Sequence, residues 1–266
     1  DLPIRVDQSL PNVPLRDVRS GAQAYTADIF SEGSKSVILE NALVRVVISP
    51  HAGARAFVFE DKPTGRNIFT SIGAMRDDVA TPPTPSPRDY IAKYTHQFPA
   101  GTFNRPYTFQ ILKTGQKAVA RFTYEARDLL HGAVIIFTRT VTLEANSRSF
   151  EVVLTSAASL NCCMVPMRSI SSLTVGQPSD FTNQFVTALG SIQDGAVALY
   201  DSKSHELATL SWMPAGFSQG TFEMKPTSAL SILSFKAEQP AVLRFGYFSP
   251  PDVAAARTIL DSLKGR

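Results

Sequence analysis

Cysteine is almost missing. The two present, Cys162 and Cys163, are adjacent, which excludes a disulfide framework. They form either a strained vicinal bridge or two small buried side chains, the usual fate of free cysteine. Neighbouring ligands on one strand point to opposite faces, so they do not make a metal pair. Long apolar runs are missing too. The longest undisturbed stretches, such as Ala133–Phe137, are strand-sized, far short of the roughly 20 residues of a membrane-crossing helix. Charge is sparse at 18% of residues, against about 25% in ordinary soluble domains. Lys+Arg 26 against Asp+Glu 23 leaves only +3, which excludes the broad basic field of a general nucleic-acid binder. Four histidines without a two-His spacing make a zinc site unexpected. There is no βαβ alternation, no Gly-rich loop between strand and helix and no G-x-S-x-G elbow, which argues against doubly wound nucleotide folds and serine hydrolases. Nothing calls for a cofactor or a metal.

What is there is period-two alternation. A chain of 266 residues with 44% hydrophobic content and mean hydropathy −0.01 buries a sizeable core. β-branched and aromatic residues alternate over Ala24–Ile29, Ser36–Leu39, Val44–Ser49, Ala54–Glu60, Thr108–Leu112, Ala118–Tyr124, Ala133–Leu143 and Ser149–Ser156. The pattern continues over Ser169–Thr174, Ala196–Tyr200, Leu207–Trp212, Gly220–Met224, Leu230–Phe235 and Ala241–Phe248. Turn residues separate the runs, as in Lys62-Pro63-Thr64-Gly65 and Gln193-Asp194-Gly195. The expectation is an all-β fold, a large antiparallel β-sandwich. One helix is expected near Asp252–Leu263, capped by Ser249 with Pro250 and Pro251 in its first turn. Val253, Ala256, Ile259, Leu260 and Leu263 would share one face and cover a sheet.

Two regions break the rhythm. Residues 1–21, with apolar positions interrupted by Pro3, Pro11 and Pro14, read as an extended strap or linker ahead of a domain over 22–266, and as a docking segment for an upstream domain or partner. A proline-rich run, Thr81–Pro87, opens a loop reaching about Tyr107. A loop of that length in a compact sandwich is functional or disordered. Its content of Tyr90, Tyr94, His96, Phe98, Phe103, Asn104, Arg105 and Tyr107 favours function: the rings either stack on pyranose faces or plug the end of the sandwich.

The stretch Ile38–Arg55, carrying Leu39-Glu40-Asn41, Leu43-Val44-Arg45-Val46 and Pro50-His51-Ala52-Gly53-Ala54-Arg55, runs to the turn Asp61-Lys62-Pro63-Thr64-Gly65-Arg66-Asn67. It resembles the opening hairpin of the galactose-mutarotase-like, or aldose 1-epimerase-like, superfamily. His131-Gly132 before Ala133–Glu144, and Gly220–Pro226 before Leu230–Phe235, are similar to that family's middle sheet and closing hairpin. The resemblance implies a β-supersandwich with a carbohydrate-facing concave sheet. In active members a His acid and a Glu base interconvert sugar anomers without a cofactor, one on each side of the hemiacetal.

The sequence departs from that pattern at the dyad. Where the resemblance places the acidic His, it reads Asn161-Cys162-Cys163-Met164-Val165-Pro166-Met167-Arg168. The late glutamates Glu206, Glu223 and Glu238 match no copy of the base motif. The weak catalytic candidates are His96 and Glu223. Arg168 can bind a hydroxyl or carboxylate but is no general acid at neutral pH. Arg55, beside the Gly53 turn, can offer a fork of donors. The expected saccharide-binding set is Arg55, Tyr94, His96, Asn104, Arg105 and Arg168, with the 81–107 loop as one wall of a cleft facing Arg55 and Arg168. His51, His131 and His205 read as turn or surface residues, and Trp212 as core. The functional expectation is a carbohydrate-binding sandwich domain without the His/Glu dyad. The alternatives are an aldose or sugar-phosphate epimerase using His96, or a structural interaction module. The partner is a saccharide, with no nucleic acid and no membrane span. A start at Asp1 without Met raises the expectation of a processed secreted or periplasmic protein, or a trimmed chain.

Overall fold

A computed structural model describes residues 18–29, 34–69, 76–79, 105–127, 132–159, 167–176, 185–225, 228–236 and 239–265. The strap residues 1–17, the loop residues 80–104, His131, both cysteines and Glu238 lie outside this set.

Strict alternation builds three antiparallel sheets. The first is a meander of β1 (Ala22–Ala27), β2 (Ser36–Asn41), β3 (Val44–Ser49), β4 (Arg55–Asp61) and β5 (Arg66–Asn67). The long sheet uses β7 (Thr108–Lys113), β8 (Lys117–Arg127), β9 (Val134–Glu144), β10 (Ser149–Ala158), β12 (Val186–Ser191), β13 (Ala196–Asp201), β14 (Glu206–Trp212) and β17 (Ala241–Phe248). Its order is β12-β13-β14-β17-β10-β9-β8-β7. The third sheet has the order β15-β16-β11-β6, with β6 (Arg76–Val79), β11 (Met167–Leu173), β15 (Phe217–Met224) and β16 (Ala229–Phe235). The inward series of all three meet in one core, for example Leu39 and Val46 from the first, Phe137, Leu154 and Phe245 from the second, and Leu233 and Phe235 from the third. Each such side chain contributes about 1.5–3 kcal/mol on burial. Phe150 stacks on Phe245 at 5.2 Å and takes the edge of Phe59 at 4.9 Å. Trp212 is buried in this core.

The expected all-β sandwich is therefore present, with every strand read from alternation. Three strands escape that reading for physical reasons. β5 has two residues, β6 reads Arg-Asp-Asp-Val with no apolar period, and β12 carries Gly190 near its end. Gly190 is required there: its φ is +78°, and a Cβ would collide with the Ala196 carbonyl and approach Leu260 Cδ2 to 2.9 Å.

The single α-helix in the described residues, α1 (Val253–Leu263), corrects the cap assignment. Asp252, not Ser249, is the N-cap, its carboxylate accepting the Ala255 N–H at 2.8 Å. Pro250 and Pro251 therefore precede the helix. Ala256 and Leu260 pack on Leu189, Ala198 and Leu207, on the outer face of the long sheet, and Val253 stays exposed. No helix among the described residues is long and apolar enough to cross a membrane.

Candidate functional site

The polar groups inside the sandwich form two sets at opposite ends. The first holds the architecture together. Asn41, at the end of β2, has its Oδ1 accepting from the N–H of Leu43 and Val44, and its Nδ2 donates to the carbonyls of Glu144 and Ser147, all at 2.8 Å. One side chain thus shapes its own hairpin and ties it to the β9–β10 hairpin 100 residues later in the chain. Arg66 forks onto Glu206, which also accepts the Gly176 N–H at 2.6 Å. Asp61 is buried and meets Arg148 and the Thr64 hydroxyl. Burial and the neighbouring Glu206 charge push the Tyr247 phenol well above its ordinary range. Asn67 accepts from the N–H of Phe59 and Phe69 and donates to the Phe57 carbonyl. On the other side of the first sheet, Glu40 has no solvent exposure and gathers Tyr25, Arg45 and Lys62. Burial alone would raise this carboxyl, but those three partners outweigh it and hold it below its ordinary value. The residues that carry the sequence resemblance, Glu40-Asn41 and Asp61-Lys62 through Arg66-Asn67, are thus spent on architecture.

The second set lies about 20 Å away, six residues along β17 at about 3.3 Å each. Ala241 there is in register with Leu154, and Leu154 with Arg139. Arg139 is the signal that the sequence reading missed. In β9 the inward series is Ile135, Phe137, Arg139, Val141 and Leu143, so one guanidinium occupies an apolar parity position. It is 0% exposed, flanked across the strands by Phe122 and Leu154, and engaged by a partner within the protein. The third sheet does the same with hydroxyls, on strands of which β11 runs on to Leu173 and Gly176 at the Glu206 end. On β11, Ser169 and Ser171 share the inward series with Met167 and Leu173. On β16, Ser231 shares it with Ala229 and Leu233. Ser171 and Ser231 bond each other at 2.6 Å, while the buried Ser169 hydroxyl has no partner among the described residues. The signal was available: a strictly alternating strand with one polar member on its apolar side.

Tyr107 links this end to the hairpin turn. Its N–H donates to the Pro50 carbonyl, and the Arg105 carbonyl accepts from the Gly53 N–H, two residues from Arg55. Its buried ring stacks on Tyr124 at 5.2 Å and meets the edge of Phe137 at 6.3 Å, one inward position from Arg139. Tyr107 is therefore a plug at the end of the sandwich, one of the two readings of the loop aromatics. Burial raises the Tyr124 phenol, and the charge of nearby Arg105 works against that shift.

The other expected residues are placed as follows. Arg55 is half-buried at the start of β4, and Arg105 is exposed. Arg168 is half-buried and alternates with the inward Ser169, in register with Ser234 and Asp78. Glu223 is exposed on β15, its carboxylate taken by Lys225 at 2.7 Å, and that ion pair lowers it. Arg168 and Glu223 share one outward series, two strands and four residues apart, about 16 Å by strand geometry. Tyr94, His96 and Asn104 lie outside the described residues. His51 is exposed, and His205 sits at a hairpin tip with φ +56°. No group of three or more metal-ligating side chains occurs among the described residues.

No family model and no curated protein matches the sequence. Solved structures do match the fold. A galactose mutarotase-like protein from Clostridium acetobutylicum superposes with a TM-score of 0.59 at 7% identity, over 86% of this chain and 98% of that one. A candidate aldose 1-epimerase from Klebsiella pneumoniae gives 0.56 at 10% identity, over 92% and 87%. A 4-alpha-glucanotransferase from Thermococcus litoralis gives 0.53 at 10% identity over 87% of this chain but only 40% of that one, so this chain spans less than half of the larger enzyme. The chain therefore shares the galactose mutarotase-like β-sandwich fold.

Proposed function

We propose that the chain is a carbohydrate-binding domain of the mutarotase-like type, which takes a saccharide into the Arg139 end of the sandwich. The observation that carries this reading is the wholly buried guanidinium on the inward series of β9, in a core to which β11 and β16 add inward hydroxyls. A buried charge contributes little net stability compared with an apolar side chain of its size. A guanidinium has five N–H donors in a fixed fork, a geometry that matches paired oxygens. A fork of donors among apolar and aromatic side chains suits vicinal hydroxyls and a C–H-rich sugar face. Arg55 and Arg105 stand at the Gly53 turn beside it, and the proposed binding set also keeps Tyr94, His96, Asn104 and Arg168.

Binding without anomer interconversion is the favoured form. The buried carboxylates of the interior, Asp61, Asp201 and Glu206, belong to the opposite end, where Asp61 and Glu206 are ion-paired. A hexose and uronate panel titrated by NMR, with saturation exchange between anomers, tests both parts. Binding without exchange supports the proposal. Exchange abolished by His96→Ala establishes the epimerase reading instead, and no binding to any saccharide leaves an interaction module.

A further inference from the structure

The outer face of the long sheet has two halves. α1 covers β12, β13 and β14. Over β7, β8, β9 and β10 no described element lies, and the outward residues remain half-buried or exposed apart from Val119, which is 9% exposed. This open half carries a row of four threonines in register across four strands: Thr108, Thr123, Thr138 and Thr155. Three of the four hydroxyls are spent within the sheet. Thr138 and Thr155 bond each other, and Thr108 donates to the Thr123 carbonyl at 3.2 Å. Covering the row therefore costs few hydrogen bonds to water.

Two charges flank it. On β8, Arg121 lies two residues before Thr123 and Glu125 two residues after, both exposed on the same face and neither with a partner among the described residues. They are about 13 Å apart along the strand, too far to pair with each other. Elsewhere on the face Glu151 and Arg244, on adjacent strands, do pair, at 2.8 Å. Arg121 and Glu125 are placed symmetrically about the threonine row. A copy of the chain related by a two-fold axis along that row sets each Arg121 over the partner copy's Glu125, twice per interface. Ile136, 44% exposed in the Glu125 row, then covers Thr140 in the Arg121 row.

We infer that the open half of this sheet is a self-complementary surface on which a second copy of the chain docks face to face about the Thr108–Thr123–Thr138–Thr155 row. Four strands by eight residues give about 500 Å² per partner, below the roughly 800 Å² of a standard interface. The dimer is therefore weak, reversible and salt-sensitive. An isologous contact of this kind closes after two copies.

Sedimentation velocity of the full chain from about 5 to 200 µM, at low and high salt, reads the result. The parent is expected to shift from monomer toward dimer with concentration, and less so at high salt. Arg121→Glu, which sets two carboxylates against each other, weakens association at least about tenfold. The double variant R121E/E125R restores it, because the pairs are re-formed with reversed polarity. Both sites are exposed, and circular dichroism confirms the fold of each variant. A parent monomeric throughout the range overturns the inference, whatever the variants do. A parent dimer untouched by Arg121→Glu overturns it too, as does a loss that the double variant fails to restore.

Discussion

Arg66 and Glu206 are 140 positions apart in the chain and meet in a two-pronged ion pair, Nε to Oε1 at 2.7 Å and Nη2 to Oε2 at 3.2 Å. The pair joins the β4–β5 turn of the first sheet to β14 of the long sheet, and through Glu206 it also holds the Gly176 N–H. It closes the end of the sandwich opposite Arg139.

Removing one partner of a largely buried pair leaves the other uncompensated. Arg66→Ala is expected to destabilise the fold by about 3–5 kcal/mol. Urea denaturation of parent and variant at neutral pH checks this, with the slope unchanged and the midpoint lowered. An unchanged midpoint would show the pair to be solvated.

Acid should act through the same groups. Burial raises Glu206, but the bonds from Arg66 and Gly176 outweigh it and hold the carboxyl below its ordinary value, and Glu40 is lowered likewise. A carboxyl that binds its proton more weakly in the folded chain stabilises the fold above its unfolded value and gives that up as pH falls through its folded value. Glu60 runs the other way, because burial there outweighs Arg45. With Glu40, Glu206 and the exposed Glu223 lowered against Glu60 raised, stability should be level from neutral pH to about 5 and fall below about 4.5. Glu206→Gln should lower stability at neutral pH and flatten the acid limb. Denaturant midpoints from pH 7 to 3 measure both.

Asn41→Ala removes four hydrogen bonds and leaves the amide and carbonyl groups of two hairpins short of partners. A loss of about 2–4 kcal/mol is expected. Amide exchange should quicken at Leu43 and Val44 first, since they lose their acceptor. Exchange that quickens uniformly would place the effect elsewhere.

The strands were legible because each of the longer ones is an apolar or alternating run between turn residues. Val44–Ser49 and Ala241–Phe248 appear with the bounds that the alternation sets. The short strands were hidden by their lack of a period, and the helix cap by a choice between Ser249 and Asp252 that only the accepted Ala255 N–H decides. The site was less legible. The residues with saccharide-binding chemistry in the sequence cluster in the aromatic loop, most of which lies outside the described residues, and at arginines near recognisable turns. Arg139 was readable from parity alone, because Thr138, Thr140 and Thr142 face out and the residues between them face in. What parity does not give is depth, since whether an inward arginine is an edge residue or a buried one depends on the sheet opposite. The opening motif reads most easily because packing fixes it, so it points to the fold rather than to chemistry.

The central claim is that Arg139 binds saccharide. The most direct measurement is titration of a hexose and uronate panel into the parent and into Arg139→Lys, with melting temperatures recorded alongside. Lysine keeps the charge inside the sandwich and loses the fork. The parent should bind at least one saccharide, and Arg139→Lys should bind it about ten- to a hundredfold more weakly, for about 1–3 kcal/mol of lost hydrogen bonding, while remaining folded. Equal binding by the two proteins, or no binding by the parent to any member of the panel, would contradict it.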